Sequence, residues 1–417
     1  MQRVLVVLPF YGGSLPIGRY CVAALQELGC LVDVFESPSF YGALRACKEL
    51  NVSIERQEYL ENSFLQVVTQ AVLATVERFE PDLVLCMAQA PLSRQGLSRL
   101  RKDGVPTAMW FVEDYRLFTY WRAFAPLYDI FAVIQKEPFL GELAQNGVAN
   151  ALYLPLAADP SVHKPLELSP ADAQRFGAEL SFMGAGYPNR RAAFRHLVRH
   201  GLKIWGTEWE GDPILAPLVQ MQGKRINTED TVRIFNAAAI NLNLHSSVNA
   251  EELVPQGDFV NPRTFEIAAC GAFQLVDRRS LMPELFDESD LATFSSLPEL
   301  EEKIAYFAGH PDERRAYAER GRERVLAGHT YAARMRTLLE FAQKRLPQRA
   351  KRVDRDWPDD LPEALRGELH ALYGALGLPS GAGFSDVVAA VRRKNEKLSS
   401  LETAILFLDE WKKQYSL

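Results

Sequence analysis

Asp258-Phe259-Val260-Asn261-Pro262-Arg263-Thr264-Phe265-Glu266-Ile267-Ala268-Ala269-Cys270-Gly271-Ala272-Phe273-Gln274-Leu275-Val276 joins two carboxylates, an arginine, a helix of small residues and an apolar strand. An Asx oxygen at Asp258 or Asn261 can accept the N–H groups at the start of a helix, and Pro262 suits its first position. Phe265, Ala268 and Ala269 fall on one face at helical spacing, Gly271 ends the helix, and Phe273 to Val276 leaves as a strand. Loop, helix and strand in that order belong to an α/β sheet, whose ligands sit beyond the carboxyl ends of strands near helix N-termini. Arg263 and Glu266, three apart in the first turns, share a face there. An arginine in that place can meet a phosphate, and a carboxylate can accept two ribose hydroxyls.

The same alternation extends in both directions. Val4 to Phe10 is a continuous apolar run, the signature of a buried parallel strand, broken at Tyr11-Gly12-Gly13-Ser14 before a helical pattern to about Leu28. Strands are expected at 31–35, 83–86, 107–111, 130–133 and 151–154, with helices near 63–79, 92–102 and 137–145. Pro155, Pro160, Pro165 and Pro170 recur through a polar stretch, 156–176, that reads as a linker. Strands then follow at 179–184, 202–205 and 239–244, and helices start near Arg190 and run at about 228–237, 299–308, 311–327 and 331–345. Charge and proline dominate from 346 to Pro362, and two helical segments close the chain. In the last, Leu398, Leu401, Ile405 and Leu408 follow coiled-coil spacing, with Trp411 and Tyr415 extending the face. A homodimer contact through 384–415 and a helix folded back on its own domain fit this pattern equally.

Composition narrows the function. The 417 residues are 47% hydrophobic and 24% charged, as in globular proteins of two or three domains. A formal charge of −6 argues against nucleic acid as a partner. No apolar run reaches the roughly 18 residues of a membrane span, so a cytoplasmic protein is expected. Cys21, Cys30, Cys47, Cys86 and Cys270 lack metal or disulfide spacing and read as reduced core residues. His196 and His200 have no third ligand at a plausible spacing, so no metal is expected.

Candidate chemistry clusters at strand ends. The turn Met183-Gly184-Ala185-Gly186-Tyr187-Pro188-Asn189-Arg190-Arg191 follows a strand and opens a helix, so its N–H groups and arginines can hold a phosphate. It is not the dinucleotide fingerprint, because Asn189 occupies the third glycine position. With Arg263 it offers two guanidinium sites, which suit a diphosphate. Asn243 and His245 end another strand and point toward the same crevice. Trp205-Gly206 ends a third, where the indole is either an aromatic wall for a base or core. Glu113 and Asp114 follow the strand ending at Phe111. Histidine is absent before His163, so if the first domain supplies a base it is a carboxylate, and Asp114 or Glu113 is best placed, unless both are solvated loop residues.

Asp258, seven intervening residues and Glu266, continuing Ile-Ala-Ala-Cys-Gly-Ala-Phe-Gln-Leu-Val, resemble the Glu-x7-Glu motif of GT-B glycosyltransferases. More narrowly, Phe182-Met183-Gly184 with Tyr187-Pro188-Asn189-Arg190, Ile204-Trp205-Gly206, Leu242-Asn243, Arg263-Thr264-Phe265-Glu266 and His329-Thr330-Tyr331-Ala332-Ala333-Arg334 resemble the CgeB-like branch, first named for spore maturation. The resemblance covers about 176–345 strongly and 1–157 in outline. It implies an α/β GT-B fold: two doubly wound Rossmann-like domains facing across a cleft, an acceptor domain (1–157) and a nucleotide-sugar donor domain (158–345), with a linker and helical extension at 346–417. It also implies that Glu266 binds ribose, Arg190 and Arg263 the diphosphate, and that Asn243 lines the donor pocket. Asp258 stands where the family has its first glutamate, a residue that contacts the donor sugar in related retaining enzymes.

The sequence therefore leads to a metal-independent glycosyltransferase moving a sugar from a nucleotide-sugar donor to an acceptor hydroxyl on a glycan, protein or small molecule. Asp114, Glu113 and Asp258 are its catalytic candidates. Gly184, Gly186, Arg190, Trp205, Gly206, Asn243, His245, Asn261, Arg263, Thr264 and Glu266 are its donor-binding candidates. A non-catalytic GT-B-like binding module is the alternative from another class, and a sugar-nucleotide epimerase is a third reading.

Overall fold

The structure is a computed structural model that describes residues 2–251, 253, 258–346, 361–380, 382–394 and 396–415. Its strands are β1 (Arg3–Val7), β2 (Leu31–Phe35), β3 (Leu83–Met87), β4 (Thr107–Phe111), β5 (Ile130–Val133), β6 (Ala151–Tyr153), β7 (Ala178–Met183), β8 (Leu202–Trp205), β9 (Ala238–Asn243), β10 (Gln274–Asp277) and β11 (Ala292–Phe294). The first six form one sheet in the order β2-β1-β3-β4-β5-β6, and the remaining five a second in the order β11-β10-β9-β7-β8. The pairs β1–β2, β1–β3, β3–β4 and β5–β6 of the first sheet and β7–β8, β7–β9, β9–β10 and β10–β11 of the second are parallel. Strands β1, β3, β4 and β5 are buried along their whole length, which is why they read as unbroken apolar runs rather than alternating ones. In the second sheet the order reverses between β7 and β9, the kind of switch point where doubly wound sheets bind ligands.

By compactness the chain divides into Met1–Trp110 with Phe124–Ile130 and Glu340–Leu417, and Phe111–Ala123 with Phe131–Leu339. In the second unit an aromatic cluster of Phe182, Phe194 and Trp209 fills the core beside β7, with Phe194 and Trp209 stacked at 5.6 Å. In the first unit the C-terminal helices Glu363–Ala375, Phe384–Arg392 and Ser400–Tyr415 join the sheet. Arg3, almost fully buried at the start of β1, donates from Nε to Asp386 Oδ1 at 3.3 Å and from Nη2 to the Ser385 carbonyl. Arg393 donates to the Val32 carbonyl of β2.

Several expected elements differ. The helix expected near 63 begins at Ile54, where Ser53 accepts the Arg56 N–H as its cap. A helix at Tyr41–Lys48 and the short β11 escaped the reading because neither has a long periodic run. The stretch 156–176 is no free linker. It ends in the helix Pro170–Phe176, and Leu156, Ala157, Ala158 and His163 are buried. Arg334 pins it by donating from Nε to the Pro155 carbonyl at 2.7 Å and from Nη2 to the Leu156 carbonyl at 3.1 Å. Most of the charged stretch after 346 lies outside the described residues. The final helix starts at Ser400, after Leu398, and buries Ile405 while Phe407, Leu408 and Trp411 stay exposed. Cys30 and Cys47 are half-buried rather than core, and all five cysteines are free thiols. Among the described residues no helix is long and apolar enough to cross a membrane.

Candidate functional site

The helix Pro262–Ala269 starts beside the carboxyl end of β9, and buried polar groups fix that start. Asn261, not Asp258, is its cap: Asn261 Oδ1 accepts the Thr264 N–H at 3.1 Å, an interaction worth about 1 kcal/mol. Asn243 at the end of β9 holds the cap in turn. Its Oδ1 accepts from Asn261 Nδ2 at 2.8 Å, and its Nδ2 donates to Thr264 Oγ1 at 2.9 Å and Gln274 Oε1 at 3.1 Å. The Asn261 N–H donates to His245 Nε2 at 2.8 Å, so that nitrogen carries no proton. His245 Nδ1 then bears the hydrogen and donates to Asp277 Oδ1 at 2.6 Å. Burial lowers the His245 pKa and keeps the ring neutral. Burial works against the Asp277 charge too, but the histidine contacts and nearby Arg279 outweigh it and hold that carboxyl below its ordinary range. Arg279 Nη1 lies 3.6 Å from Asp277 Oδ2.

On this anchored helix Arg263 pairs with Glu266 one turn on. Glu266 is 4% exposed, whereas the Arg263 side chain is 36% exposed and its guanidinium lies 5.7 Å from the Phe235 ring. His163, from the stretch read as a linker, places Nε2 3.9 Å from Glu266 Oε1. Its Nδ1 accepts the Asp159 N–H at 3.1 Å, so in the neutral ring the hydrogen sits on the nitrogen nearer the carboxylate. Burial lowers the His163 pKa and favours that neutral form.

At the switch point Arg190 ties the β7 and β9 ends together. It donates from Nε to the Leu244 carbonyl at 2.9 Å and from Nη1 to the Ala185 carbonyl at 3.0 Å, and burial lowers its pKa to about 10. Gly184, Gly186 and Gly206 let the β7 and β8 loops touch. A Cβ on Gly186 would stand 2.1 Å from the Glu208 carbonyl oxygen, and one on Gly206, at φ +124, 2.4 Å from that of Gly184. Trp205 is buried in a core cluster with Met183, Phe235 and Ile267, the core member of the two readings its position allowed.

Two of the three catalytic candidates, Asp114 and Asp258, also meet. Asp258 Oδ1 accepts from Gln135 Nε2 at 2.9 Å and Oδ2 from the Lys136 N–H at 3.0 Å. The same Gln135 nitrogen lies 3.5 Å from Asp114 Oδ1, and Gln135 Oε1 accepts the Tyr115 N–H at 3.0 Å. Asp114 Oδ1 closes a local turn by accepting the Arg116 N–H at 3.0 Å, and Tyr120 donates to Glu113 Oε2 at 2.8 Å. Arg279 interacts electrostatically with both Asp258 and Asp114, linking this acidic edge to the cap network. Among the described residues no group of three His, Cys, Asp or Glu side chains is arranged to hold a metal ion.

The sequence reading missed Gln135, His163, Asp277 and Arg279. The strand-end rule that selected Glu113 and Asp114 applies equally to Gln135 after β5 and to Asp277 ending β10. His163 carried no such signal, because its contact with Glu266 is purely tertiary.

Comparison with known proteins agrees with this architecture. Residues 190–340 match the glycosyl transferase-like family model. Sucrose-phosphate synthase (tll1590) from Thermosynechococcus elongatus superposes with a TM-score of 0.55 at 14% identity, covering 82% of this chain and 99% of that one. Anabaena Alr3699/HepE, solved in complex with UDP-glucose, gives 0.56 at 12% identity over 82% and 100%. The α,α-trehalose 6-phosphate synthase of Burkholderia multivorans gives 0.54 at 13% over 82% and 98%. Two parallel sheets of this topology with a glycosyl transferase-like segment define a glycosyltransferase of GT-B fold. Within that class the chain is similar to Spore protein CgeB of Bacillus subtilis (strain 168), at 24% identity over 269 residues, 62% of this chain and 82% of that protein.

Proposed function

We propose that the chain transfers a sugar from a nucleotide-sugar donor to an acceptor hydroxyl without a metal ion, with residues 158–345 holding the donor and 1–157 the acceptor. The observation that carries this is the Arg263–Glu266 pair on a capped, buried helix start inside the 190–340 segment. Glu266 supplies carboxylate oxygens for two ribose hydroxyls. The partly exposed Arg263 turns to the diphosphate, and Arg190 adds positive charge beside the helix N-terminus. Neutralising the leaving diphosphate as charge develops is the largest contribution to rate in this reading. The bond from the anomeric carbon to the phosphate oxygen breaks as the acceptor oxygen bonds to that carbon. In an inverting reaction the hydroxyl proton passes to Asp114 or Glu113. In a retaining one it passes to the leaving phosphate oxygen while Asp258 orients the sugar. The setting is cytoplasmic, and a second copy docking on Phe407, Leu408 and Trp411 would give a homodimer.

Thermal shift with a panel of nucleoside diphosphates and their sugars tests the reading, because a ligand at 100 times its dissociation constant stabilises by about 2.7 kcal/mol. A shift in the wild type that Glu266→Ala abolishes, with sugar transfer by the wild type, is the expected result. No shift with any nucleotide sinks the proposal. A shift without transfer to water or any hydroxyl acceptor leaves a binding module instead.

A further inference from the structure

We infer that Gln135 is a positioning residue that sets the Asp114 and Asp258 carboxylates against one another. It lies two residues beyond β5 and exposes no surface to solvent. Its partners define which way the amide points. One end faces the Tyr115 N–H, which can only donate, and the other a carboxylate, which when ionised can only accept. Nε2 therefore faces Asp258 at 2.9 Å, and Asp114 stands 3.5 Å from the same two-hydrogen donor. Asp258 and Gln135 are 123 positions apart in sequence, so this one side chain joins the loop after β4 to the residue that precedes the capped helix.

The chemistry of the contact distinguishes glutamine from its neighbours in size and shape. A neutral amide offers a hydrogen to each acid and adds no charge, so both carboxylates stay available as bases or as partners for a developing positive charge. Around it stand those two carboxylates, Arg116 and Arg279, which each act electrostatically on both acids, and Lys136, which pairs with Glu284. Asp258 is further held by the adjacent Lys136 N–H, so consecutive residues 135 and 136 grip both of its oxygens. The inference rests on the transfer reading for its catalytic consequence and on these hydrogen bonds for its geometry.

Gln135→Glu and Gln135→Leu test it in the full-length protein. The glutamate keeps the shape but can donate to Asp258 only when protonated. Crowded by two carboxylates, it has a folded pKa above its unfolded value of about 4.3, so its stabilising contact is present below that value and is lost as pH rises through the folded one. The melting-temperature gap between wild type and Gln135→Glu should therefore widen from about pH 5 to about pH 8, while the gap for Gln135→Leu stays constant. In transfer assays kcat of Gln135→Glu should fall about tenfold at the alkaline end and recover toward the acidic end, with the donor KM within about twofold of wild type. Gln135→Leu should lose kcat by about tenfold or more at every pH. Parallel pH profiles for Gln135→Glu and wild type, a melting gap independent of pH, or a Gln135→Leu defect confined to KM would each overturn the inference. Should the wild type transfer no sugar at all, the transfer reading fails, and the melting series alone decides whether Gln135 sits between the two acids.

Discussion

The Asn261 cap network and the Asp114–Asp258 edge are both built from polar side chains, yet they use them in opposite ways. In the first, amides, a hydroxyl and a neutral imidazole meet donor to acceptor: Asn243, Asn261, Thr264, Gln274 and His245 engage one another. Such a network fixes a shape, because any member that moves leaves a buried partner unsatisfied. In the second, two carboxylates converge on one amide nitrogen. Two acids brought together are what a proton-accepting or cation-stabilising site requires. The helix start is a frame, and the acidic edge is the part of the site that the proposed transfer would use.

Substitutions can break this contrast or sharpen it. The largest effect on folding should come from Asn243→Leu, which removes partners from Asn261, Thr264 and Gln274 at once. Each orphaned buried group costs about 1–3 kcal/mol, so a loss of about 3 kcal/mol or more is expected in denaturant midpoints, and a loss below about 1 kcal/mol would mean the network does not fix the frame. Arg263→Ala comes next. It should weaken nucleotide binding tenfold to a hundredfold, about 1.5–3 kcal/mol by calorimetry, and unchanged affinity would remove Arg263 from the donor site.

Acid should loosen the frame more gently. His245, His163 and His329 all have folded pKa values below the ordinary imidazole value, His329 down to about 4. Burial is the first cause in each, and for His329 Arg334 adds to it. A depressed folded pKa means the stabilising form is fully present above the unfolded value, near pH 6.5, and is lost as pH falls through the folded value. Melting temperature should thus decline from about pH 6.5 toward pH 4. His329→Phe, which keeps a ring against Phe286, should flatten part of that decline. A slope unchanged by His329→Phe would assign the acid sensitivity elsewhere. The smallest expected effect is that of a chelator: transfer should be the same with and without EDTA, and a loss restored by a divalent cation would refute metal independence.

The frame was largely legible in the sequence and the acidic edge only in part. Strands β2, β4, β5 and β8 coincide with their expected bounds: β4 and β5 are buried throughout, and β2 and β8 are apolar apart from Asp33 and Lys203. Pro262, Gly271 and the Asx residues before them announced the helix through local chemistry. Which Asx served as the cap was open, and it depended on Asn243, a neighbour across the sheet. Asp258 is instead turned to Gln135, a partner 123 positions away that no local pattern encodes. The proline-rich stretch 156–176 misled for a related reason: prolines limit regular structure but can open a helix, as Pro170 does, and say nothing about packing, and His163 reaches Glu266 from within it.

The grip of the C-terminal helices on β1 bears on the order in which the protein can mature. Asp386 and the Ser385 carbonyl leave the ribosome 383 and 382 positions after Arg3. Domains ordinarily fold as they emerge, N-terminal first. Here β1 carries a cation destined for burial whose carboxylate partner lies 383 positions further along the chain. Until then Arg3 has its nearer partners, the Phe79 carbonyl and Glu80, and the helix Phe384–Arg392 acts as a late latch on β1.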